Sequence, residues 1–203
     1  MVKPRSNAFR LRGYVGLIVC VPALVAVAIG RPLFPAGTTP TLAMDLIGWV
    51  LFCCGVLLRF SSILFVGGRK GELLITDGPY AWCRNPLYLG SLCVALAAAL
   101  MLHSIGALTA VIVLSLFYLT AVIPAEERQL QAAFPEEWGP YVTSVPRLLP
   151  RPRCWKAQYV QVEVRALRNE SLRLFGMAFI PILARLLHHL RTEPWWPQLW
   201  LLP

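Results

Sequence analysis

No Asp, Glu, Lys or Arg occurs anywhere between Asn85 and Ala125, a run of 41 residues. As continuous helix that run would measure roughly 60 Å, about two hydrocarbon thicknesses, so it predicts two membrane spans turning near His103, Ser104 and Gly106. Two further candidates lie upstream: Gly13 to Gly30, uncharged, and Leu46 to Val66, interrupted only by Arg59. A chain that is 57% hydrophobic and 14% charged lies outside the soluble range. The pattern predicts an all-α, helical integral membrane protein with four to five transmembrane helices. The first apolar segment also reads as a signal peptide, with Ala26-Val27-Ala28 as a cleavage site. Pro22 breaks its apolar region and favours a retained span.

The net charge of +9 does not point to nucleic acid, because the basic residues form no stripe interleaved with aromatics. They sort by membrane side instead. With the first span starting in the cytoplasm, an arm carrying Lys3, Arg5, Arg10 and Arg12, a loop with Arg69, Lys70 and Arg84, and the segment from Arg128 to Arg173 all face inward. That places fifteen of nineteen basic residues on one side. The chain is thus expected in a bacterial inner membrane or the endoplasmic reticulum, with the bilayer as its environment and no obligate protein partner implied. Cys20, Cys53, Cys54, Cys83, Cys93 and Cys154 lack C-x-x-C spacing, and His103, His188 and His189 lack neighbouring carboxylates in a ligand pattern, so no metal site is expected.

Two polar segments punctuate the apolar runs. In the first, Gly67-Gly68 can end a span, Thr76-Asp77-Gly78-Pro79 reads as a turn, and Asn85-Pro86 as a helix start. Asn85, Pro86 and Arg84 with Tyr80, Trp82 and Tyr88 also suit an interfacial aromatic belt. In the second, "AEERQLQAAF" predicts a short helix beginning after Pro124, with Glu126 and Glu127 at its positive end. "FPEEWGPYVTSVPRLLPRP" predicts a non-helical strap. Beyond Arg153 two readings stay open. Leu174 to Ala184 is too short to cross unless Arg185 is absorbed into a longer helix reaching Leu190. An interfacial amphipathic helix is the other reading, with Lys156, Arg165 and Arg168 at lipid phosphates and Trp195, Trp196 and Trp200 as anchors.

Taken together, the two polar segments resemble the isoprenylcysteine carboxyl methyltransferase and phospholipid methyltransferase families. The first supplies Gly78-Pro79-Tyr80 and Arg84-Asn85-Pro86-Leu87-Tyr88-Leu89-Gly90; the second supplies Glu126-Glu127, Leu130, Phe134, Tyr141, Val145-Pro146 and Pro150. The resemblance covers roughly residues 46–150, within a domain drawn as 1–153 followed by a helical extension, 154–203. Asn85 stands where the isoprenylcysteine enzymes usually carry histidine, and Trp138 where tyrosine is more usual.

The resemblance implies an enzyme that binds S-adenosyl-L-methionine at a cytoplasmic-face site and methylates a lipophilic acceptor from the bilayer. In chemical terms, Arg84 and the exposed amides at the helix start that Pro86 opens, near Asn85 to Tyr88, would receive the cofactor carboxylate. Glu126 or Glu127 would take its ammonium or ribose hydroxyls, and Tyr80, Trp82 or Tyr88 would stack on adenine. Gly90 would admit the ligand or a neighbouring helix. Methyl transfer needs alignment and a dry site more than acid–base groups. Arg59, deep in the second span, either snorkels to headgroups or faces inward and binds an acceptor carboxylate or lipid phosphate, a role that would make Arg59 and Glu127 the catalytic pair. The competing readings are an NADPH-dependent reductase of the sterol-reductase type and a non-catalytic membrane scaffold.

Overall fold

Long uncharged runs leave the backbone no way to satisfy its amides in lipid except within helices, and the structure obeys that constraint. It is a computed structural model that describes residues 7–67, 73–151 and 162–196, with side chains from residue 13 onward. Lys3, Arg5, Gly68, Arg69, Lys70, Arg153, Cys154, Lys156 and Trp200 lie outside the described residues, as do the side chains of Arg10 and Arg12. The helices are α1 (Asn7–Ile29), α2 (Thr39–Val66), α3 (Pro79–Trp82), α4 (Pro86–Met101), α5 (Ile105–Phe117), α6 (Ile123–Ala133), α7 (Pro135–Ser144), α8 (Val164–Met177) and α9 (Phe179–Thr192). Among the described residues, three stretches are long and apolar enough to cross a membrane: Thr39–Val66, Ile105–Ala133 and Val164–Thr192; Gly13–Ile29 and Pro86–Met101 are shorter apolar helices. The protein is a helical integral membrane protein, and the apolar run from Asn85 forms two helices that turn at 102–104, as expected.

Two expectations need correction. Glu126 and Glu127 do not open a short helix: a π-helical turn, Tyr118–Val122, joins α5 to α6, so the helix passes through Pro124 unbroken. The wider turn relieves the hydrogen-bond register that proline would otherwise break, and no free helix end remains there to stabilise the acids. The expected strap is instead helical over Pro135–Ser144 despite Pro140. Pro135 is preorganised at its start, and Trp138, Tyr141 and Val145 bury one face against Leu74 and Leu130. The irregular strap is confined to the residues that follow.

Backbone contacts divide the chain into two units. The first comprises the segments up to Phe52, Ala95–Ala125 and from Phe179 on. Val27, Ala99 and Ala107 form its apolar core, with Leu102, Leu108, Val111 and Leu187 against them. Inside it lies a polar network. Asp45 pairs with Arg185, and its Oδ1 is 3.2 Å from His103 Nε2. His103 Nδ1 lies 3.2 Å from His188 Nδ1. Arg191, fully buried, donates to the carbonyls of Gly30 (3.0 Å) and Leu102 (2.8 Å), and Trp196 Nε1 donates to Ala28 O. These side chains satisfy carbonyls that the ends of α1 and α4 leave unpaired. Arg185 lies within a helical stretch, Val164–Thr192, that is long and apolar enough to cross a membrane.

The second unit comprises Cys53–Val94 and Glu126–Ala178. Here α2 and α4 cross at Gly55 and Gly90. A Cβ on Gly55 would stand 2.7 Å from Gly90 O, and one on Gly90 would stand 2.9 Å from Gly55 O and 2.7 Å from Arg59 Cγ. Only hydrogen in place of a side chain lets these backbones approach so closely.

Candidate functional site

The site is built around a tight turn. Gly78 has φ +61°, and a Cβ there would meet the Phe65 ring at 2.5 Å, so both conformation and space demand glycine. Pro79 then opens the single turn of α3, presenting Tyr80, and Pro86 opens α4. Between these two helices, residues 82–85 exchange hydrogen bonds with the strap after α7. Arg84 N donates to Pro146 O at 2.9 Å, and Arg151 N to Trp82 O at 3.0 Å. Asn85 Nδ2 donates to Arg147 O at 3.1 Å, and Tyr141 OH to Tyr80 O at 2.9 Å. The Val-Pro strap is thus a backbone partner for the Arg-Asn-Pro segment, which gives its short irregular chain a structural reason.

The twin acids have separate jobs. Glu127 is buried and satisfied within the protein. Its Oε1 accepts from Asn85 Nδ2 at 3.2 Å and lies 3.4 Å from Arg84 Nε, and its Oε2 pairs with Arg147 at 2.8–3.0 Å. Arg84 also lies over the Trp138 ring, 5.9 Å from its centroid. Glu126 instead accepts from Tyr88 OH at 2.7 Å and lines a cavity of about 360 Å3. Burial raises the pKa of the Tyr80 and Tyr141 phenols, with the negative charge of Glu126 adding to the effect at Tyr80, so both remain neutral donors. Burial also pushes the Cys83 thiol up to about 11, which leaves it unreactive.

Of the nine predicted site residues, Tyr80, Arg84, Asn85, Pro86, Tyr88 and Glu126 line this cavity. Glu127, Arg59 and Gly90 are not among the lining residues. Glu127 braces Arg84 and Asn85 from behind; Gly90 takes the approach of α2, the second of its two expected uses. Arg59 faces inward, 12% exposed, and is bound to Glu170 and Ser91 rather than snorkelling. Trp82, an expected stacking partner, is absent from the lining as well. The structure adds Tyr141, Ala166 and Arg173 to the lining, with an apolar wall that includes Ile63, Val66, Leu73 and Leu74. Ala166 and Arg173 come from α8, and only their helical spacing around Glu170 could have signalled them.

A cavity of this size falls in the range of small-molecule sites, and its lining combines a greasy wall with a carboxylate, two guanidinium groups and three phenols. Fold and site therefore define a helical membrane protein with a ligand-sized amphiphilic cavity. Residues 44–137 match the family model of phospholipid methyltransferases, which bears out the resemblance read from the motifs. Over 95 residues the chain is 42% identical to the cobalt-zinc-cadmium resistance protein CzcN of Cupriavidus metallidurans, a match spanning 46% of this chain and 43% of that protein. Over 205 residues it is 28% identical to the nickel-cobalt-cadmium resistance protein NccN of Alcaligenes xylosoxydans xylosoxydans, covering 97% of this chain and 93% of the relative. No solved structure matches.

Proposed function

We propose that the protein is a membrane methyltransferase that binds S-adenosyl-L-methionine in the 360 Å3 cavity and methylates a lipophilic acceptor entering from the bilayer, with the site facing the cytoplasm. The observation that carries this reading is the meeting of the two motifs at one cavity: Tyr88 of the first holds Glu126 of the second at 2.7 Å, across 38 residues of sequence.

The donor set fits the cofactor group by group. Glu126 offers a carboxylate for the ammonium or ribose hydroxyls, Arg84 a guanidinium for the carboxylate, and Tyr80 and Tyr88 flat faces for adenine. When bound, the cofactor would supply an electrophilic methyl group on a sulfonium. The chain's own part is to orient and to exclude water. Glu127 and Trp138 hold Arg84, Tyr88 holds Glu126, and Ile63, Val66, Leu73 and Leu74 offer a dry wall for an acceptor's hydrocarbon. Alignment of this kind lowers a barrier by several kcal/mol, about 7 at best, without an acid–base dyad.

The two relatives are named for metal resistance, but the described cavity lining holds one carboxylate and neither thiol nor imidazole. Such a set suits an organic ion better than a transition metal. Titrating the purified protein in detergent with S-adenosylmethionine and, separately, NADPH tests the reading. Saturable binding of the first, lost in Glu126→Gln and absent for the second, is expected; binding of NADPH alone, or of neither, overturns it. Membranes incubated with methyl-labelled cofactor would then show which lipid or protein fraction gains label.

A further inference from the structure

Arg173 is a cavity-lining cation that no motif announced. It stands on α8 at helical spacing from Ala166 and Glu170, beyond the segment that matches the methyltransferase family. Glu170, only 1% exposed, is held from two sides. Its Oε1 accepts from Arg59 Nη2 at 2.5 Å, and its Oε2 accepts from Arg173 Nη1 at 3.3 Å. Arg59 spends its other terminal nitrogen on Ser91 Oγ, its stem lying across Gly90.

One buried carboxylate therefore sits between two guanidinium groups, and the surplus positive charge belongs to the one that is not enclosed. Arg59 has a side chain 12% exposed, whereas that of Arg173 is 66% exposed and contributes to the cavity wall. A guanidinium carries five N–H donors in a fixed fork, and Glu170 uses one edge of Arg173, leaving donors for a second oxyanion. The anion-binding role the sequence suggested for Arg59 is met at Arg59 by Glu170, and passes to Arg173.

We propose that Arg173, positioned by Glu170 and through it by Arg59, is an anion subsite of the cavity, taking the carboxylate or phosphate of the molecule bound there. The proposal rests on the cavity being the ligand site. Its anion has two sources: the carboxylate of the cofactor, shared with Arg84, or the phosphate of an anionic lipid whose chains lie along the apolar wall.

The test uses the full chain in non-ionic detergent with three probes: S-adenosylmethionine, its decarboxylated analogue, and phosphatidylglycerol added to the micelles. If the cofactor supplies the anion, Arg173→Gln weakens S-adenosylmethionine about tenfold or more, leaves the decarboxylated analogue unchanged, and Arg173→Lys restores part of the loss. If lipid supplies it, both adenosyl probes bind Arg173→Gln as they bind the wild type, and retention of phosphatidylglycerol falls by a similar factor. Glu170→Gln should reproduce either loss in part, with a lower melting temperature because Arg59 is left without its counter-ion. An Arg173→Gln protein that melts like the wild type and binds all three probes equally well overturns the subsite. Arg173-dependent lipid retention by a chain that ignores S-adenosylmethionine would sustain the subsite while sinking the methyltransferase reading.

Discussion

Helices α2 and α4 cross closely at Gly55 and Gly90, and the crossing can be tested by adding a single methyl group. In Gly90→Ala the new Cβ would lie 2.7 Å from Arg59 Cγ, 2.9 Å from Gly55 O and 3.2 Å from Arg59 N. In Gly55→Ala it would lie 2.7 Å from Gly90 O and 2.9 Å from Val94 Cγ2. Both sets include backbone atoms of the facing helix, which cannot rotate away, so the helices must part by several tenths of an ångström. Overpacking of this kind costs about 1–3 kcal/mol. Against it stands a gain of up to about 1 kcal/mol from replacing a helical glycine by alanine. The net expectation is a loss of about 1–2 kcal/mol for each variant. Because both methyl groups wedge the same contact, the double variant should lose less than the sum, by about 0.5 kcal/mol or more. Gly176→Ala, in α8 with nothing within 4 Å of its new Cβ, is the matched control and should melt at or above the wild-type temperature. Thermal unfolding in detergent followed by circular dichroism reads all four. If Gly55→Ala and Gly90→Ala behave like Gly176→Ala, the close crossing is not what holds this part of the protein. Gly90→Ala should also displace Arg59, and so weaken ligand binding more than Gly55→Ala does.

Glu127→Gln removes the counter-charge from Arg84 and Arg147; because Arg147 is half exposed and Arg84 only 10% exposed, the loss should be about 2–4 kcal/mol, read as a lower melting temperature, and a wild-type melt would show Glu127 to be dispensable as a brace. Burial pulls the His103 imidazole below its usual pKa, against the opposing pull of Asp45, so the unfolded chain takes up that proton first as the pH falls. The His103 contribution should be complete above the unfolded value of about 6.5 and shrink as the pH drops below it; melts at pH 7.5 and 5.5 should differ more in the wild type than in His103→Gln, and equal differences would refute the assignment. With Cys83 at about 11 instead of 9, a chain retaining only that cysteine should react with iodoacetamide at pH 8 about a hundredfold more slowly than an ordinary thiol, and rapid labelling would contradict its burial. Tyr88→Phe should weaken S-adenosylmethionine several-fold by releasing Glu126, while Tyr14→Phe, exposed on α1 and outside the cavity lining, should leave affinity unaltered.

Much of the helical skeleton is legible because lipid leaves so few alternatives. The uncharged run after Asn85, the turn at His103, the end of α2 at Gly67 and the proline start of α4 all follow from hydrophobicity and local backbone chemistry. Six of the cavity-lining residues were legible for a different reason, since they sit in two short motifs whose pairing is itself informative. Helix breaks are less legible. Pro124 and Pro140 look like stops in one dimension, but a π-helical turn ahead of the first and a buried aromatic face beside the second outweigh the missing N–H.

What the sequence determined by itself was class: a helical membrane protein whose two polar motifs resemble those of the phospholipid methyltransferase family. What only the tertiary structure decided was the division of labour among like residues. Glu126 and Glu127 are neighbours with the same side chain, yet one lines the cavity and the other is enclosed by Arg84, Asn85 and Arg147. Arg59 and Arg173 are both arginines in apolar surroundings, yet Glu170 encloses the first and presents the second. Adjacent positions on a helix point about 100° apart, and what each then meets is set by packing from residues far away in the chain, which no local pattern encodes.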